Sequence, residues 1–210
     1  MKPIRKFIHD SLFSSIRMLC IALMSVSLFA ACHDEPHSEL LFIGDSIVSR
    51  WDLDEAFPTI TTYNRGIGGS GIKYLEESEG CGADKTIVVL SGTNDISTRL
   101  KNNESAIKDY TARYISALRN LNADKIFVIS VLPREYGGDA TFLPTIEMFN
   151  SHLEAAISDI DNIRFVNVYR YFLCGETIDY DLFEDNLHLT PQGYQILNLH
   201  LRKALKNEGF

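Results

Sequence analysis

Basic residues are scarce in this sequence. Its 210 residues include 20 Lys and Arg against 28 Asp and Glu, which gives a formal net charge of −8 at pH 7. An acidic surface repels nucleic acid and anionic lipid headgroups, so neither is expected as a main partner. The length of the chain limits the number of domains. A chain of this size with 45% hydrophobic residues can bury one full hydrophobic core but is too short for two. We therefore expect a single folded domain.

The apolar stretch near the N-terminus, residues 18 to 30, is too short to cross a bilayer as a helix. It follows a leader that carries four Lys and Arg residues. A basic leader, a short apolar stretch and small residues at its exit are typical of a secretory signal, which we assign to residues 1 to 31. The polar residues 32 to 39 are interpreted as a tether, and residues 40 to 210 as the folded domain.

The exit of the leader, Leu28-Phe29-Ala30-Ala31-Cys32, resembles a bacterial lipobox, in which the cysteine becomes the lipidated first residue of the mature protein. Phe29 stands where a leucine is usual. We expect lipidation at Cys32, which would hold the protein stably on a membrane of the bacterial cell envelope, facing the periplasm or the cell surface. The alternative is ordinary cleavage after Ala31, which would leave Cys32 as a free thiol.

The predicted folded part contains few cysteines, namely Cys81 and Cys174. An oxidising envelope would permit a disulfide between them. The distance between their Cα atoms decides whether the bond can form, and the sequence does not give that distance. Two separately buried thiols are the alternative.

The apolar run Leu40-Leu41-Phe42-Ile43 stops abruptly at Gly44-Asp45-Ser46. Four apolar residues are enough for a buried strand and too few for a helix, and the glycine permits a sharp turn at the strand's end. Ser46 is therefore expected at a strand-to-helix corner. An α/β enzyme can hold a nucleophile at such a corner, because the hydroxyl is exposed and the helix start offers unpaired N–H donors.

Two further apolar strands are predicted over residues 59 to 63 and 86 to 90, and each runs into a glycine-containing loop. Glycines let a backbone N–H approach a substrate oxygen, and the amide of Asn94 in the second loop can point into the same crevice as Ser46. Gly66, Gly68 and Gly71 also satisfy the G-x-G-x-x-G pattern of dinucleotide sites. That alternative is disfavoured, because the acidic residue expected at the end of the next strand does not stand there.

The rest of the chain alternates helical and strand patterns. Helices are predicted over residues 103 to 121, 143 to 160 and 191 to 206, and strands over residues 125 to 132 and 163 to 168. The last helix has Thr190 as its N-cap and Pro191 as its first residue. His188 is therefore expected on the loop before this helix. Asp185, three residues earlier, can hold one ring nitrogen of that histidine.

These segments, in this order, resemble the SGNH hydrolases, also called GDSL esterases or lipases. The resemblance covers residues 40 to 206 and is closest to the branch with platelet-activating-factor acetylhydrolase subunits and bacterial carbohydrate acetylesterases. Ser70 departs from many relatives of that branch, which have Asp at this position. The four matching blocks are Gly44-Asp45-Ser46, Asn64-Arg65-Gly66-Ile67-Gly68-Gly69, Gly92-Thr93-Asn94-Asp95 and Asp185-Asn186-Leu187-His188.

The resemblance implies a three-layer α/β/α sandwich with a mainly parallel, flavodoxin-like central sheet of about five strands. It implies that Ser46 is the nucleophile, His188 the general base and then acid, and Asp185 the carboxylate that orients His188. The oxyanion hole would comprise the backbone N–H groups of Ser46 and Gly69 and the side-chain amide of Asn94. Nothing in the sequence implies a metal or an organic cofactor for this mechanism.

The expected function is hydrolysis of small-molecule or carbohydrate esters. The favoured reaction is the removal of acetyl or other short acyl groups from carbohydrate. One alternative is a lipase or lysophospholipase-type acylhydrolase. Another is an envelope lipoprotein that binds glycans without catalysis, which the presence of all three triad residues disfavours. The sequence determines neither the acyl chain length nor the oligomeric state.

Overall fold

A computed structural model describes residues 39 to 96, 99 to 135 and 140 to 210. The predicted signal segment, Cys32 and nearly all of the predicted tether lie outside the described residues. The main sheet has five strands, all parallel, in the order β2-β1-β3-β4-β5. Its strands are β1 (Glu39–Gly44), β2 (Thr61–Gly66), β3 (Thr86–Leu90), β4 (Lys125–Ile129) and β5 (Ile163–Val166). A small antiparallel pair follows, β6 (Leu173–Cys174) and β7 (Thr177–Ile178).

Helices connect the strands of the main sheet. The described residues form α1 (Ser46–Ser49), α2 (Leu53–Ala56), α3 (Ile72–Glu77), α4 (Glu104–Asn120), α5 (Leu143–Ile157) and α6 (Pro191–Asn207). Short 3₁₀ turns occupy Ala140–Phe142, Tyr169–Phe172 and Tyr180–Leu182. None of the helices in this described part of the chain is long and apolar enough to cross a membrane.

Each face of the sheet has its own apolar core, because successive side chains of a strand point to opposite faces. Leu41 and Ile43 of β1 lie in a core shared with α3, α4 and α5. Leu40 and Phe42 lie in a second core, shared with α1, α2 and α6. Helices therefore cover both faces, and the predicted three-layer α/β/α sandwich with a parallel sheet of five strands is confirmed.

The strand order positions the functional loops. In a doubly wound sheet, ligands bind beyond the carboxyl ends of the strands, where the strand order reverses. Here the reversal lies between β1 and β3, which are neighbours in the sheet although β2 separates them in sequence. The segment after β1 consists of Asp45 and then α1, which begins at Ser46, and the loop after β3 contains Asn94. The predicted site residues Ser46 and Asn94 therefore lie beyond the same edge of the sheet.

Two strands end at places that the sequence did not indicate. β2 continues to Gly66, three residues past the predicted end, since its register with β1 pairs Gly66 with Gly44. β4 stops at Ile129 although the apolar run goes on to Leu132. The side-chain amide of Asn150 accounts for this stop: it accepts from the Val131 N–H and donates to the Val131 carbonyl, both at 2.9 Å.

Other predictions from the sequence hold more closely. The helix predicted over residues 103 to 121 is α4, and its apolar face is buried, with Tyr114 and Leu118 fully so. Thr190 caps α6 as predicted, accepting a hydrogen bond from the Gly193 N–H at 3.3 Å.

Cys81 and Cys174 are both free thiols, so no disulfide joins them. Cys81 is half-buried, and burial raises its pKa. Cys174 is exposed. It lies in the two-residue strand β6, which the apolar patterns did not indicate. The alternative of two buried thiols is therefore also wrong for Cys174.

Candidate active site

Ser46 is the first residue of α1 and lies directly beyond the carboxyl end of β1. The turn that brings it there requires glycine at position 44, because a Cβ on Gly44 would lie 2.1 Å from the Leu90 carbonyl oxygen of the neighbouring strand. Asp45 caps α1, accepting the Ile47 N–H at 2.9 Å. The predicted strand-to-helix corner is therefore present, with the Ser46 side chain only partly buried.

His188 reaches Ser46 from the loop before α6. The Nε2 atom of His188 lies 2.9 Å from the Ser46 Oγ atom. The loop is closed by a short antiparallel bridge between Phe183 and Leu189 and by a hydrogen bond from the Glu184 N–H to the His188 carbonyl at 2.7 Å. The side chain of His188 is only 15% exposed, so the imidazole lies against the protein and not in bulk solvent.

Asp185 holds the other nitrogen of the histidine. Its Oδ2 lies 2.7 Å from His188 Nδ1, and its Oδ1 accepts the N–H groups of Leu187 at 2.8 Å and His188 at 2.7 Å. The side-chain hydrogen bond with His188 is the main reason that the pKa of Asp185 is lowered to about 2. An ionised carboxylate accepts from Nδ1–H, which leaves Nε2 of a neutral ring free to accept the Ser46 proton.

The glycine loop after β2 lies beside the nucleophile. The Ile67 N–H donates to the Gly44 carbonyl at 2.9 Å, and a Cβ on Gly68 would lie 3.9 Å from the Ser46 Cβ. Gly69 has φ +76°, which favours glycine, and a Cβ added to it would have no neighbour within 4 Å. The loop thus brings its backbone close to Ser46 with no side chain at positions 68 and 69.

Asn94 lies on the loop after β3, and its side chain binds the glycine loop. Its Nδ2 atom donates to the Ser70 carbonyl at 2.8 Å, and the residue is exposed. One of the two protons of this amide is used in that bond, and the second remains for another acceptor. The structure therefore joins the loop that carries Gly69 to the loop that carries Asn94.

Ser70 and Asp95 strengthen this junction, and sequence reasoning assigned a role to neither. The Ser70 hydroxyl donates to the Gly44 carbonyl at 2.9 Å, at the end of the strand that leads to the nucleophile. Asp95 Oδ2 accepts the Ile72 N–H and the Tyr110 hydroxyl, both at 2.8 Å. The one signal in the sequence for the role of Asp95 is its place in the third matching block. Its partners Ile72 and Tyr110 are distant in sequence, so no local pattern indicates them.

Asp45 has a further property that the sequence did not reveal. It is 1% exposed, and burial raises its pKa to about 6. Its neighbour in the sequence is Ser46, so a buried carboxyl of shifted pKa lies directly beside the candidate nucleophile.

The described residues contain no group of three or more His, Cys, Asp or Glu side chains that could hold a metal ion. The chain of hydrogen bonds from Ser46 through His188 to Asp185 provides a hydroxyl, a base within reach of its proton and a carboxylate that orients the base. Chemically, this arrangement can activate a serine for attack on a carbonyl carbon.

Comparison with known proteins identifies the family of this chain. The sequence model of the GDSL-like lipase/acylhydrolase family matches residues 42–196, which include Ser46, Asp185 and His188. A search of curated proteins gives no significant match.

Similar folds occur among solved structures. A protein from Streptococcus pneumonia, provisionally described as a platelet activating factor, is 27% identical, with a TM-score of 0.64 over 91% of this chain and 98% of that one. A GDSL-like lipase from Bacteroides thetaiotaomicron is 24% identical, with a TM-score of 0.65 over 82% and 89%. An acetyl xylan esterase variant from Geobacillus stearothermophilus is 19% identical, with a TM-score of 0.59 over 79% and 93%. The chain belongs to the GDSL-like lipase/acylhydrolase family of SGNH hydrolases and is an ester hydrolase.

Proposed function

We propose that this ester hydrolase works by a serine mechanism in which Ser46 is the nucleophile, His188 the general base and Asp185 the orienting carboxylate. The single observation that carries the proposal is the hydrogen-bonded chain, 2.9 Å from Ser46 Oγ to His188 Nε2 and 2.7 Å from His188 Nδ1 to Asp185 Oδ2. As Ser46 attacks the ester carbonyl, its proton passes to Nε2, and His188 then returns that proton to the leaving alcohol. A water molecule activated by the same histidine releases the acid.

The tetrahedral intermediate carries a negative oxygen that needs fixed donors. We assign these donors to the N–H groups of Ser46 and Gly69 and to the Nδ2 atom of Asn94. Two observations support the assignment. The glycine loop approaches Ser46 without side chains at positions 68 and 69, and the Asn94 amide is fixed by its hydrogen bond to the Ser70 carbonyl.

The proposed substrates are acetyl or other short acyl esters of carbohydrate. The likeness in fold to an acetyl xylan esterase supports this substrate class. A lipase-type acylhydrolase would instead prefer long acyl chains. A protein that only binds glycans would retain the fold and show no turnover.

The decisive experiment measures hydrolysis of p-nitrophenyl esters of increasing chain length, and acetate release from acetylated xylan, by residues 33 to 210. We expect acetate esters to be the best substrates and Ser46→Ala to abolish their hydrolysis. Ser49→Ala is the matched control, because Ser49 is an exposed serine of the same helix whose hydroxyl donates to the Ser46 carbonyl at 3.1 Å. A preference for long esters would support the lipase alternative, and activity that survives in Ser46→Ala would refute the mechanism.

We also propose that the mature protein is anchored to a membrane of the bacterial cell envelope by lipid on Cys32. The support is the lipobox-like sequence that ends in this cysteine, which lies outside the described residues. The test is incorporation of radiolabelled palmitate in a bacterial host, followed by membrane fractionation. Cys32→Ser should lose both the label and the membrane association. A variant that stays unlabelled but membrane-bound would show that something other than Cys32 holds the protein there.

A further inference from the structure

Asp45 is a buried carboxylate that its surroundings satisfy only in part. One carboxylate oxygen, Oδ1, accepts the Ile47 N–H at 2.9 Å. The other, Oδ2, is buried and accepts no hydrogen bond from any residue that the structure describes. A buried polar atom without a partner is uncommon in native proteins and calls for an explanation.

Helix capping alone does not explain a carboxylate at this position. Ser and Asn cap helices about as well as Asp, and neither brings a charge into the core. Asp52 has the same capping role but is exposed to solvent. It caps the four-residue helix α2 by accepting the Glu55 N–H at 3.0 Å. Burial raises the pKa of Asp45 to about 6, so its ionised form is disfavoured by its environment. Costly groups of this kind cluster at functional sites.

The charge of Asp45 interacts with titratable groups from several parts of the fold. Arg134, after β4, and His188, before α6, lower the pKa of Asp45, whereas Asp95, after β3, raises it. In turn, burial is the main reason that the pKa values of Tyr114 on α4 and Tyr194 on α6 are raised, and the charge of Asp45 adds to both shifts. Of these groups, His188 is the one that gains a positive charge during the proposed reaction.

We propose that ionised Asp45 is a positioning residue that acts through Ser46 and His188. It fixes the first turn of the helix that carries the nucleophile, and its buried negative charge stabilises the His188 imidazolium that forms when Ser46 gives up its proton. Asp185 stabilises the same cation by a direct hydrogen bond, and Asp45 does so at longer range through the weakly polar interior. This inference rests on the proposed serine mechanism.

The test compares Asp45→Asn and Asp45→Ser with the wild type. Both substituents keep an oxygen that can accept the Ile47 N–H and remove the charge. We expect kcat for p-nitrophenyl acetate at pH 8 to fall on the order of tenfold with KM unchanged. The acid limb of the kcat profile should move to lower pH, because both variants lack the carboxylate that gains a proton in the wild type as the pH falls through about 6.

A purely structural role would lower activity without moving the acid limb. Rates are expressed per active site, counted by labelling Ser46 with diisopropyl fluorophosphate, so that misfolded protein does not enter the comparison. Asp52→Asn, which removes the charge of an exposed cap, should keep the wild-type kcat and acid limb. An unchanged acid limb in both Asp45 variants would overturn the inference and leave the serine mechanism standing. Activity that survives in Ser46→Ala would instead refute the mechanism on which the inference rests.

Discussion

The pH dependence of stability offers a thermodynamic test of the buried carboxyl group at position 45. Burial raises the pKa of Asp45 to about 6 in the folded protein, from the ordinary aspartate value of 3.8. Between these two values the folded state holds a proton that the unfolded state has released. The stability of the wild type therefore falls as the pH rises through this window, and Asp45 lowers the free energy of unfolding above pH 6.

The size of the effect follows from the shift. One pKa unit corresponds to about 1.4 kcal/mol, so the full destabilisation by Asp45 is about 3 kcal/mol at pH 8. At pH 4.5 the destabilisation by Asp45 is about 1 kcal/mol, because at this pH Asp45 is mostly ionised in the unfolded state but protonated in the folded state. In Asp45→Asn this contribution is absent. The difference in unfolding free energy between the wild type and Asp45→Asn should therefore change by about 2 kcal/mol between pH 4.5 and 8, in favour of the variant at high pH.

The assay is urea denaturation of both proteins at several pH values from 4.5 to 8, followed by circular dichroism. Taking the difference between the two proteins cancels the titration of all other groups, and any constant effect of the new amide cancels in the slope. Asp52→Asn should run parallel to the wild type, because Asp52 is exposed. If Asp45→Asn also runs parallel to the wild type within about 0.5 kcal/mol, Asp45 does not titrate as a buried group and the reasoning fails.

Three further predictions concern the catalytic loops. Asn94→Ala should keep the fold and lose on the order of 100- to 1000-fold in kcat, since one oxyanion donor is removed; unchanged turnover would refute its assignment. Ser70→Ala should lower kcat by roughly tenfold, because the hydroxyl that ties the glycine loop to β1 is lost. Ser78→Ala is its control: the Ser78 hydroxyl donates to the Tyr74 carbonyl at 2.8 Å at the C-terminal end of α3, so kcat should not change. Asp185→Asn should reduce kcat by on the order of 10⁴-fold with the fold intact, because an amide no longer selects the correct histidine tautomer; a loss below tenfold would contradict the role of Asp185.

The fold was predictable because it depends on patterns that are local in sequence. Apolar runs that alternate with helical stripes, such as the one on α4, indicate a parallel sheet covered by helices. The strand ends were less predictable, since they depend on partners from elsewhere in the chain. β4 ends where the Asn150 amide replaces a neighbouring strand as the hydrogen-bond partner of Val131. Asn150 is nineteen positions later in the sequence, so no pattern near Val131 predicts this contact.

The site shows the same division. Ser46, Asn94 and His188 could be located because each follows a strand or precedes a capped helix, and these are places that sequence patterns mark. The contacts of Asp95 could not be located in this way. It binds the Tyr110 hydroxyl, and it lies so close to Gly71 that a Cβ there would be 2.5 Å from its carboxylate oxygens. Such contacts are created by the fold, and their partners belong to different elements.

Two carboxylates flank the Ser46–His188 pair, and their surroundings shift their pKa values in opposite directions. Asp185 is 56% exposed and accepts hydrogen bonds from Leu187 and His188, so its pKa falls to about 2. The Asp45 carboxyl group is buried and accepts one hydrogen bond from the residues that the structure describes, and burial raises its pKa to about 6. As the pH falls from 7 to 5, Asp45 therefore gains its proton while Asp185 remains ionised. Protonation of Asp45 can therefore contribute to a loss of activity in this range, whereas protonation of Asp185 does not, because Asp185 titrates only in much stronger acid.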